Sequence, residues 1–556
     1  MDNKPLIISV TLVFTLSILI KLVNILRFPV LPTAFDPWYH MSIVNSIIEH
    51  GYVDIAVYRG GILLHLLTAV IHLVTGISVF DIVKYLPLFL GPLTVFCMYH
   101  LVRNVTDNPK IVILSVFSLT SLSFSFIFAT NQFWPELLTL PLMILSLSFF
   151  LKAVFKNSAS SAVLSVFLYA CIVLTHDFSA LMAFIMITST MIFTLVGTGR
   201  VSKYSIIIVA SCFSIITVWS LMFTTAAVLA SILSKIYFLI PVLGLTLSLI
   251  IYIFKRIKVE GDYDSVHFSK LTYPLWGFFT LIGLILTLIV TIVPPFSYLL
   301  APTIEYLVIA LPGTVVFLSL ISLGALIIFQ NFHKQSSIIV GIIAGPVATL
   351  LLPYILYLVA LPIIETERIL EFASIGGALI CGLALSVILQ GVFNSSSQIK
   401  RKIYTGILIP AICIGVFSSI IWAYPTPSGG LKYLNWNTYS ELDLALWASH
   451  HIQGQTVISD WRIGYILTGF MADPPNYSII VNALLLYEDN RSVVISIPHK
   501  LGLYMVLDDW MILNGPTQPP TYGLTEPLEN SKNYYDGSSE YVKIYDNGYE
   551  WIYFTE

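Results

Sequence analysis

The chain has 556 residues, of which 57% are hydrophobic and only 10% charged, at a mean hydropathy of +0.88. A soluble globular protein carries about 25% charged residues. There is too little polar surface here for a water-facing body of this size, which excludes a soluble enzyme, a disordered scaffold and a nucleic-acid binder. The formal net charge of −3 is unevenly spread: residues 1–423 hold 21 basic and 15 acidic residues, a balance of +6, whereas residues 424–556 hold 6 and 15, a balance of −9.

A helix needs about 20 apolar residues to cross a bilayer. Thirteen segments meet that length, at 6–27, 84–102, 110–129, 135–154, 160–176, 179–197, 204–230, 235–255, 271–293, 305–330, 337–361, 368–390 and 403–423. The first is long and lacks a small-residue cleavage site, so it reads as a retained anchor. With the N-terminus in the cytoplasm, the inner loops hold 15 of the 27 basic residues, including Arg103, Lys110, Lys152, Lys156, Arg200, Lys203, Lys334 and the Lys400-Arg401-Lys402 run. Cytoplasmic loops are enriched in Lys and Arg, so this bias supports an odd number of crossings. Residues 424–556 then lie outside the cytoplasm.

That last part opens with Pro425, Pro427, Gly429 and Gly430, a breaker-rich linker. An amphipathic stretch (Ser440–His451) and short β-like runs (Val457–Ser459, Val493–Ile497) follow. They predict a small α/β or α+β extracytoplasmic domain over 424–556, after a transmembrane domain over 1–423. The five cysteines, Cys97, Cys171, Cys212, Cys381 and Cys413, all fall in apolar runs and suit buried packing thiols better than disulfides or metal ligands.

Ionisable residues near a bilayer core are costly and usually functional. Asp36 lies in Phe35-Asp36-Pro37-Trp38-Tyr39-His40, just past the first span. Glu136 lies in Phe133-Trp134-Pro135-Glu136, at the outer end of the fourth. Glu305 lies in Pro302-Thr303-Ile304-Glu305-Tyr306, after an outer loop opened by Pro294-Pro295. Arg368 lies in Glu365-Thr366-Glu367-Arg368. The predicted topology puts all four on the outer face. Each also has an ordinary reading, since Asp-Pro favours turns and acids suit the first turn of a helix; their joint occurrence is what points to chemistry. Carboxylates are hard oxygen ligands for Mg²⁺ or Mn²⁺, such an ion stabilises a departing phosphate, and an Arg pairs with phosphate oxygens. A free carboxylate can engage an acceptor nucleophile. Together they describe glycosyl transfer from a lipid-linked phosphate donor at the membrane surface.

These residues resemble the motifs of the oligosaccharyltransferase catalytic subunit, a GT-C glycosyltransferase of thirteen spans with a C-terminal extracytoplasmic domain. Phe35–His40 is similar to the first acidic motif in its archaeal form, and Thr303-Ile304-Glu305 to the TIxE motif. Arg368-Ile369-Leu370-Glu371-Phe372 is similar to the Arg region that contacts the lipid diphosphate. Val457–Tyr465 lies where the family has WWDYG. The resemblance implies that Asp36, Glu136 and Glu305 hold Mn²⁺ or Mg²⁺, that Asp36 and Glu305 engage the acceptor amide, and that Arg368 holds the donor phosphate. It implies an inverting transfer and an acceptor read by Asp460, Trp461, Arg462 and Gly464. Two departures stand out. Only Glu136 represents the usually two-residue second acidic motif. In the WWDYG region Asp460 replaces the first Trp, Arg462 the Asp and Ile463 the Tyr, which removes the acceptor of a sequon hydroxyl's hydrogen bond.

The expected partners are a polyprenyl- or dolichyl-linked sugar donor, membrane lipids, and a protein or peptide acceptor with asparagine leading. A lipid-monophosphate donor with a glycan or lipid acceptor is the second reading. A transporter or flippase, which would place its polar groups at the midplane, and a non-catalytic paralogue are further alternatives. The cell membrane is the expected site. Among weaker features, Arg59 and Lys235 read as interfacial anchors or lipid-phosphate steering groups. His176-Asp177 reads as a turn, with extra site groups as the alternative. Trp38–His50 reads as an amphipathic interfacial helix. His65 and His72 share one helix face and read as helix–helix contacts. Asn476-Tyr477-Ser478 and Asn490-Arg491-Ser492 match the glycosylation sequon, a pattern short enough to arise by chance.

Overall fold

The computed structural model describes residues 4–27, 30–31, 36–53, 62–223, 274–282, 285, 304–330, 334–358, 366–393, 398–423, 438–452, 457–459, 461–470, 504–509, 529–537 and 541–555. The expected span at 235–255, Arg59, Lys235, the Pro294-Pro295 loop, the 424–437 linker, Asp460, the 493–497 run and both sequons lie outside the described residues.

The helices run in order as α1 (Lys4–Arg27), α2 (Asp36–His50), α3 (Leu63–Thr75), α4 (Val79–Val105), α5 (Pro109–Phe117), α6 (Phe124–Ala129), α7 (Pro135–Lys156), α8 (Ala159–Val173), α9 (Asp177–Thr198) and α10 (Lys203–Phe223). Then come α11 (Ile304–Gln330), α12 (Lys334–Leu358), α13 (Thr366–Phe393), α14 (Gln398–Ala423), α15 (Tyr439–His451), α16 (Trp461–Phe470) and α17 (Glu529–Gly537). Among the described residues seven helices are long and apolar enough to cross a membrane, and five shorter apolar helices accompany them. Large apolar side chains such as Leu12, Phe167, Ile207 and Phe417 stay exposed on α1, α8, α10 and α14. Lipid, as apolar as they are, is the solvent that suits such faces. The protein is a multi-pass membrane protein.

Local chemistry sets the helix ends. Asn108 caps α5, with Pro109 at the first helical position, and Ser158 caps α8. Asn157 closes α7 at φ 52°, a left-handed value that a short polar side chain tolerates. The expected single span at 110–129 is three pieces. The helix widens into a π-turn at Ser118–Leu122 and restarts after Ser123 as α6. Five of the eight residues from Ser118 to Ser125 carry hydroxyls, which compete for helical backbone groups. Its residues face α13, where Ser123 Oγ donates to Ser374 Oγ at 2.6 Å. The break between the fifth and sixth expected spans is real: α8 ends at Val173 and α9 begins at Asp177.

Two cores result. One fills the helical bundle, with Met98, Leu140, Met186, Ile342, Phe372 and Leu379 among its buried members. Small residues let the helices close up: an added Cβ at Gly376 would stand 2.6 Å from Ile343 Cβ, the close approach that glycine permits between membrane helices. The second core joins α2, α3 and the start of α4 to the C-terminal segments, through Trp38, Met41, Val44, Leu64, Val83, Leu444, Ile463, Leu467, Val506 and Ile552. There a four-stranded sheet has the order β1-β2-β4-β3, from β1 (Val457–Ile458), β2 (Tyr504–Asp508), β3 (Tyr541–Asp546) and β4 (Glu550–Thr555). β1 pairs parallel to β2 and the other pairs are antiparallel. The β3–β4 turn carries Gly548 at φ 91°, where a Cβ would be strained. A capping box, Thr438 with Glu441, starts α15. This arrangement corrects the interfacial reading of Trp38–His50. The apolar face of α2 is buried against α16 rather than left to lipid, because the C-terminal segments fold back over it.

Candidate functional site at one end of the bundle

Long-range contacts bring one end of many helices together. Lys21, near the C-terminal end of α1, is buried, and its ammonium donates to Thr130 Oγ1 and, at 3.3 Å, to the Ile127 carbonyl. That places a cation on the C-terminal carbonyls of α6, where the helix dipole favours it. The chain then turns through Asn131 and Gln132, both buried, into Pro135-Glu136 at the start of α7. The starts of α9 and α13 meet through the Phe178 and Phe372 rings, 5.8 Å apart. The Gly313 N–H of α11 donates to Ser418 Oγ at 3.0 Å, and Ser419 Oγ donates to the Leu122 carbonyl at 2.9 Å. α2 and α3 complete the ring: the His40 ring lies 6.3 Å from that of Phe133, and the Leu63 N–H donates to the Leu174 carbonyl at 2.9 Å.

The expected residues occupy equivalent places in this ring. Asp36 is the first residue of α2, Glu136 the second of α7, Glu305 the second of α11 and Arg368 the third of α13. All four stand in the first turn of helices that begin on the same face, where backbone N–H groups and the dipole favour anions. The side chains of Asp36, Glu305, Arg368, Trp461 and Arg462 lie outside the described residues, as does all of Asp460. Gly464 is buried in the second turn of α16.

Glu136 is described in full. It is 4% exposed, and Oε1 lies 3.4 Å from His176 Nδ1, its one polar contact among the described residues. His176 caps α9. Its Nδ1 accepts the Ser179 N–H at 3.4 Å and lies 2.8 Å from Ser179 Oγ, to which Thr139 Oγ1 donates at 3.1 Å. A chain of polar groups thus runs from α7 through the head of α9 and back to the Glu136 carboxylate. Asp177, next to His176, adds a second acid in the first turn of α9. The sequence reading of His176-Asp177 as a turn therefore holds for its backbone and misses the partner of its side chain. The only local signal was a His one residue before an acid at a helix start. Its pairing with a Glu forty positions earlier is a tertiary fact.

A pair of imidazoles lies one turn into α2, the helix that begins at Asp36. His40 Nδ1 and His65 Nε2 are 2.9 Å apart, both rings buried, joining α2 to α3. His65 is thus a helix–helix contact as expected, while His72 turns to the Ile77 carbonyl at 2.7 Å.

Among the described residues no three His, Cys, Asp or Glu side chains gather as a metal site. Of the carboxylate set expected to hold a divalent cation, only Glu136 is visible, and its nearer oxygen faces an imidazole. Three carboxylates would suit a hard cation by their chemistry; the described part of the set contributes one.

No protein-family model matches the chain, and no curated protein sequence matches it. Among solved structures, the chain is similar to ArnT from Cupriavidus metallidurans bound to undecaprenyl phosphate, with TM-score 0.51 and 8% identity, over 100% of this chain and 98% of that one. The same protein in the apo state gives TM-score 0.52 and 8% identity, over 98% and 97%. At 8% identity the likeness is one of fold.

Proposed function

We propose that this chain is a membrane glycosyltransferase that moves a sugar or glycan from a polyprenyl- or dolichyl-linked phosphate or pyrophosphate to an acceptor on the outer face. The observation that carries the reading is the full-length fold likeness to a protein whose structure holds undecaprenyl phosphate. The first-turn positions of Asp36, Glu136, Glu305 and Arg368 at one end of the bundle support it. A transporter reading draws no support from that placement, since the acids gather at one surface rather than at mid-membrane.

The chemistry assigned to the residues is a direct displacement. Arg368 holds the donor phosphate by charge-assisted hydrogen bonds. Asp36 and Glu305 orient the acceptor and take its proton. The acceptor atom bonds to the anomeric carbon from the side opposite the phosphate. The carbon–oxygen bond to phosphate breaks with its electron pair leaving on the phosphate, and configuration inverts. Asp36, Glu136 and Glu305 would hold Mg²⁺ or Mn²⁺, whose charge stabilises the departing phosphate when bound. The helix starts contribute aligned N–H groups to the same negative charge. The acceptor is assigned to the head of α16, at Asp460, Trp461, Arg462 and Gly464, on a domain spanning 424–556.

Asparagine in a protein leads as acceptor, on the motif resemblance. A second reading has a specific observation behind it: the lipid in the ArnT structure is a polyprenyl monophosphate, and Arg462 stands where a hydroxyl-reading carboxylate is expected. That reading assigns a lipid-monophosphate sugar donor and a glycan or lipid acceptor. Purified protein supplied with Mn²⁺ and either a labelled lipid-pyrophosphate or a labelled lipid-monophosphate sugar separates the two. Label appearing on a sequon peptide supports the first, label on a lipid or glycan the second, and label remaining on both donors refutes glycosyl transfer. Chelation of the metal should stop turnover and Mn²⁺ restore it; full activity in excess chelator refutes the cation.

A further inference from the structure

α16 carries the residues assigned to the acceptor, and it is fixed to α2, the helix that begins at Asp36, by a contact with almost no slack. An added Cβ at Gly469 would stand 2.6 Å from Trp38 Cε3, 2.9 Å from Met41 Cε and 3.4 Å from the Trp38 Cα. On the same turn Asn45 Nδ2 donates to the Gly469 carbonyl at 2.8 Å. That carbonyl lies at the C-terminal end of α16, where helical carbonyls lose their own partners, and Asn45 supplies one from another element. Beside it three rings from three helices close a triangle. Trp38 and Phe470 are 5.6 Å apart, Trp38 and Phe80 6.0 Å, and Phe80 and Phe470 6.3 Å. Trp38 is fully buried within it.

We propose that Gly469, Asn45 and Trp38 form a latch that sets the register of α16 on α2, and that these are positioning residues for the acceptor. The inference rests on the glycosyl-transfer reading above. α16 has ten residues, about 15 Å of helix, rigid enough that displacement at its Gly469 end is carried to Trp461 and Arg462 at the other. α2 runs from the same contact to Asp36. The latch therefore fixes the distance between the group that reads the acceptor and the group that activates it. The donor phosphate is assigned to α13, which the latch does not touch, so its loss should separate acceptor from donor.

The test uses the full-length protein in detergent. Gly469→Ala puts a methyl where Trp38 stands, and carbon contacts need about 3.5 Å, so α16 must shift by about 1 Å. A misplacement of that size costs up to about 100-fold. The expected result is an acceptor KM raised about 10- to 100-fold, with binding of undecaprenyl phosphate, measured by titration, unchanged. Trp38→Phe in the Gly469→Ala background should return most of the acceptor KM by making room for the methyl; a KM that stays raised while the double variant recovers the wild-type unfolding midpoint overturns the latch. Asn45→Ala removes the hydrogen bond without a clash and should raise the same KM by a smaller factor. An unchanged acceptor KM in Gly469→Ala, or a fall in undecaprenyl phosphate binding that parallels it, overturns the latch. Should Gly469→Ala not fold, an unchanged acceptor KM in Asn45→Ala overturns it. A wild type inactive on every acceptor refutes the transfer reading itself, and this inference with it.

Discussion

His176 is a joint between structure and site, and its replacement separates the two. Three groups surround Nδ1, the Ser179 N–H, Ser179 Oγ and Glu136 Oε1; the nitrogen either accepts from Ser179 or, carrying a proton, donates to the carboxylate. Loss of a helix N-cap costs about 1 kcal/mol. Loss of the hydroxyl hydrogen bond costs about 1 kcal/mol more. The Glu136 carboxylate is 5% exposed and has no other polar partner among the described residues; at 3.4 Å the contact is long for a hydrogen bond, so its share is set at about 1 kcal/mol rather than the larger figure for a well-made charged pair. Because the cap and the carboxylate contact use the same nitrogen and are not made together, His176→Ala should destabilise the protein by about 2 kcal/mol. Asparagine is among the best N-caps and keeps an acceptor near the Nδ1 position, so His176→Asn should restore about 1 kcal/mol of that. The measurement is reversible unfolding of both variants in mixed micelles, with Glu136→Gln added as the fourth corner of a double-mutant cycle. The cycle should return a coupling of about 1 kcal/mol between positions 136 and 176. Additivity of the two substitutions, or an alanine variant as stable as the asparagine one, would refute the account of the pair.

The remaining predictions concern other parts of the fold. In the C-terminal segments burial opposes the Asp536 charge, but hydrogen bonds from Lys532, Lys543 and Tyr553 outweigh it and bring its carboxyl down to about 2. A carboxyl lowered from an unfolded value of about 3.9 stabilises the fold above that pH and stops doing so as pH falls through its folded value. The unfolding midpoint of the wild type, followed by near-ultraviolet circular dichroism, should thus drop between about pH 4 and pH 2, and Asp536→Asn should flatten that drop. In α13, Gly376 faces Ile343 at 2.6 Å for an added Cβ, whereas Gly391 has nothing within 4 Å. Gly376→Leu should cost about 1–3 kcal/mol by overpacking while Gly391→Ala is neutral or stabilising, as unfolding in micelles will show. Lys21→Met removes a buried ammonium from two acceptors of α6; it should leave Thr130 able to bond Phe126 and cost no more than about 1–3 kcal/mol.

What the sequence made legible was what composition and local pattern control. Too few charges forced a membrane reading, and Pro135-Glu136 announced a helix start that the structure has. The break at Ser118–Ser123 was hidden because hydropathy averages over the serines, while the geometry of α13 beside them decides the backbone. α2 was read as amphipathic, but the same apolar stripe serves a lipid surface or a protein one, and only the fold-back of α15, α16 and the sheet chooses between them. The Glu136–His176 contact and the Asn45–Gly469 bond, 40 and 424 positions apart, leave no trace in local spacing. The order β1-β2-β4-β3 was equally beyond it, because β1 and β2 pair across residues 459–503. Only the closing hairpin, with its Asp546-Asn547-Gly548 turn, carries its pairing in its own sequence.

Sealed vesicles holding the full-length protein, loaded with a radiolabelled polyprenyl-phosphate sugar in one leaflet at a time, test the central claim most directly. Donor on the side of the C-terminal segments should be consumed and donor on the other side left intact. Asp36→Ala and Glu305→Ala, still folded, should each lower that consumption by about 10²–10⁴-fold. Consumption of donor from the cytoplasmic leaflet alone, or full turnover in either variant, would contradict a single site built from the helix starts at the outer face.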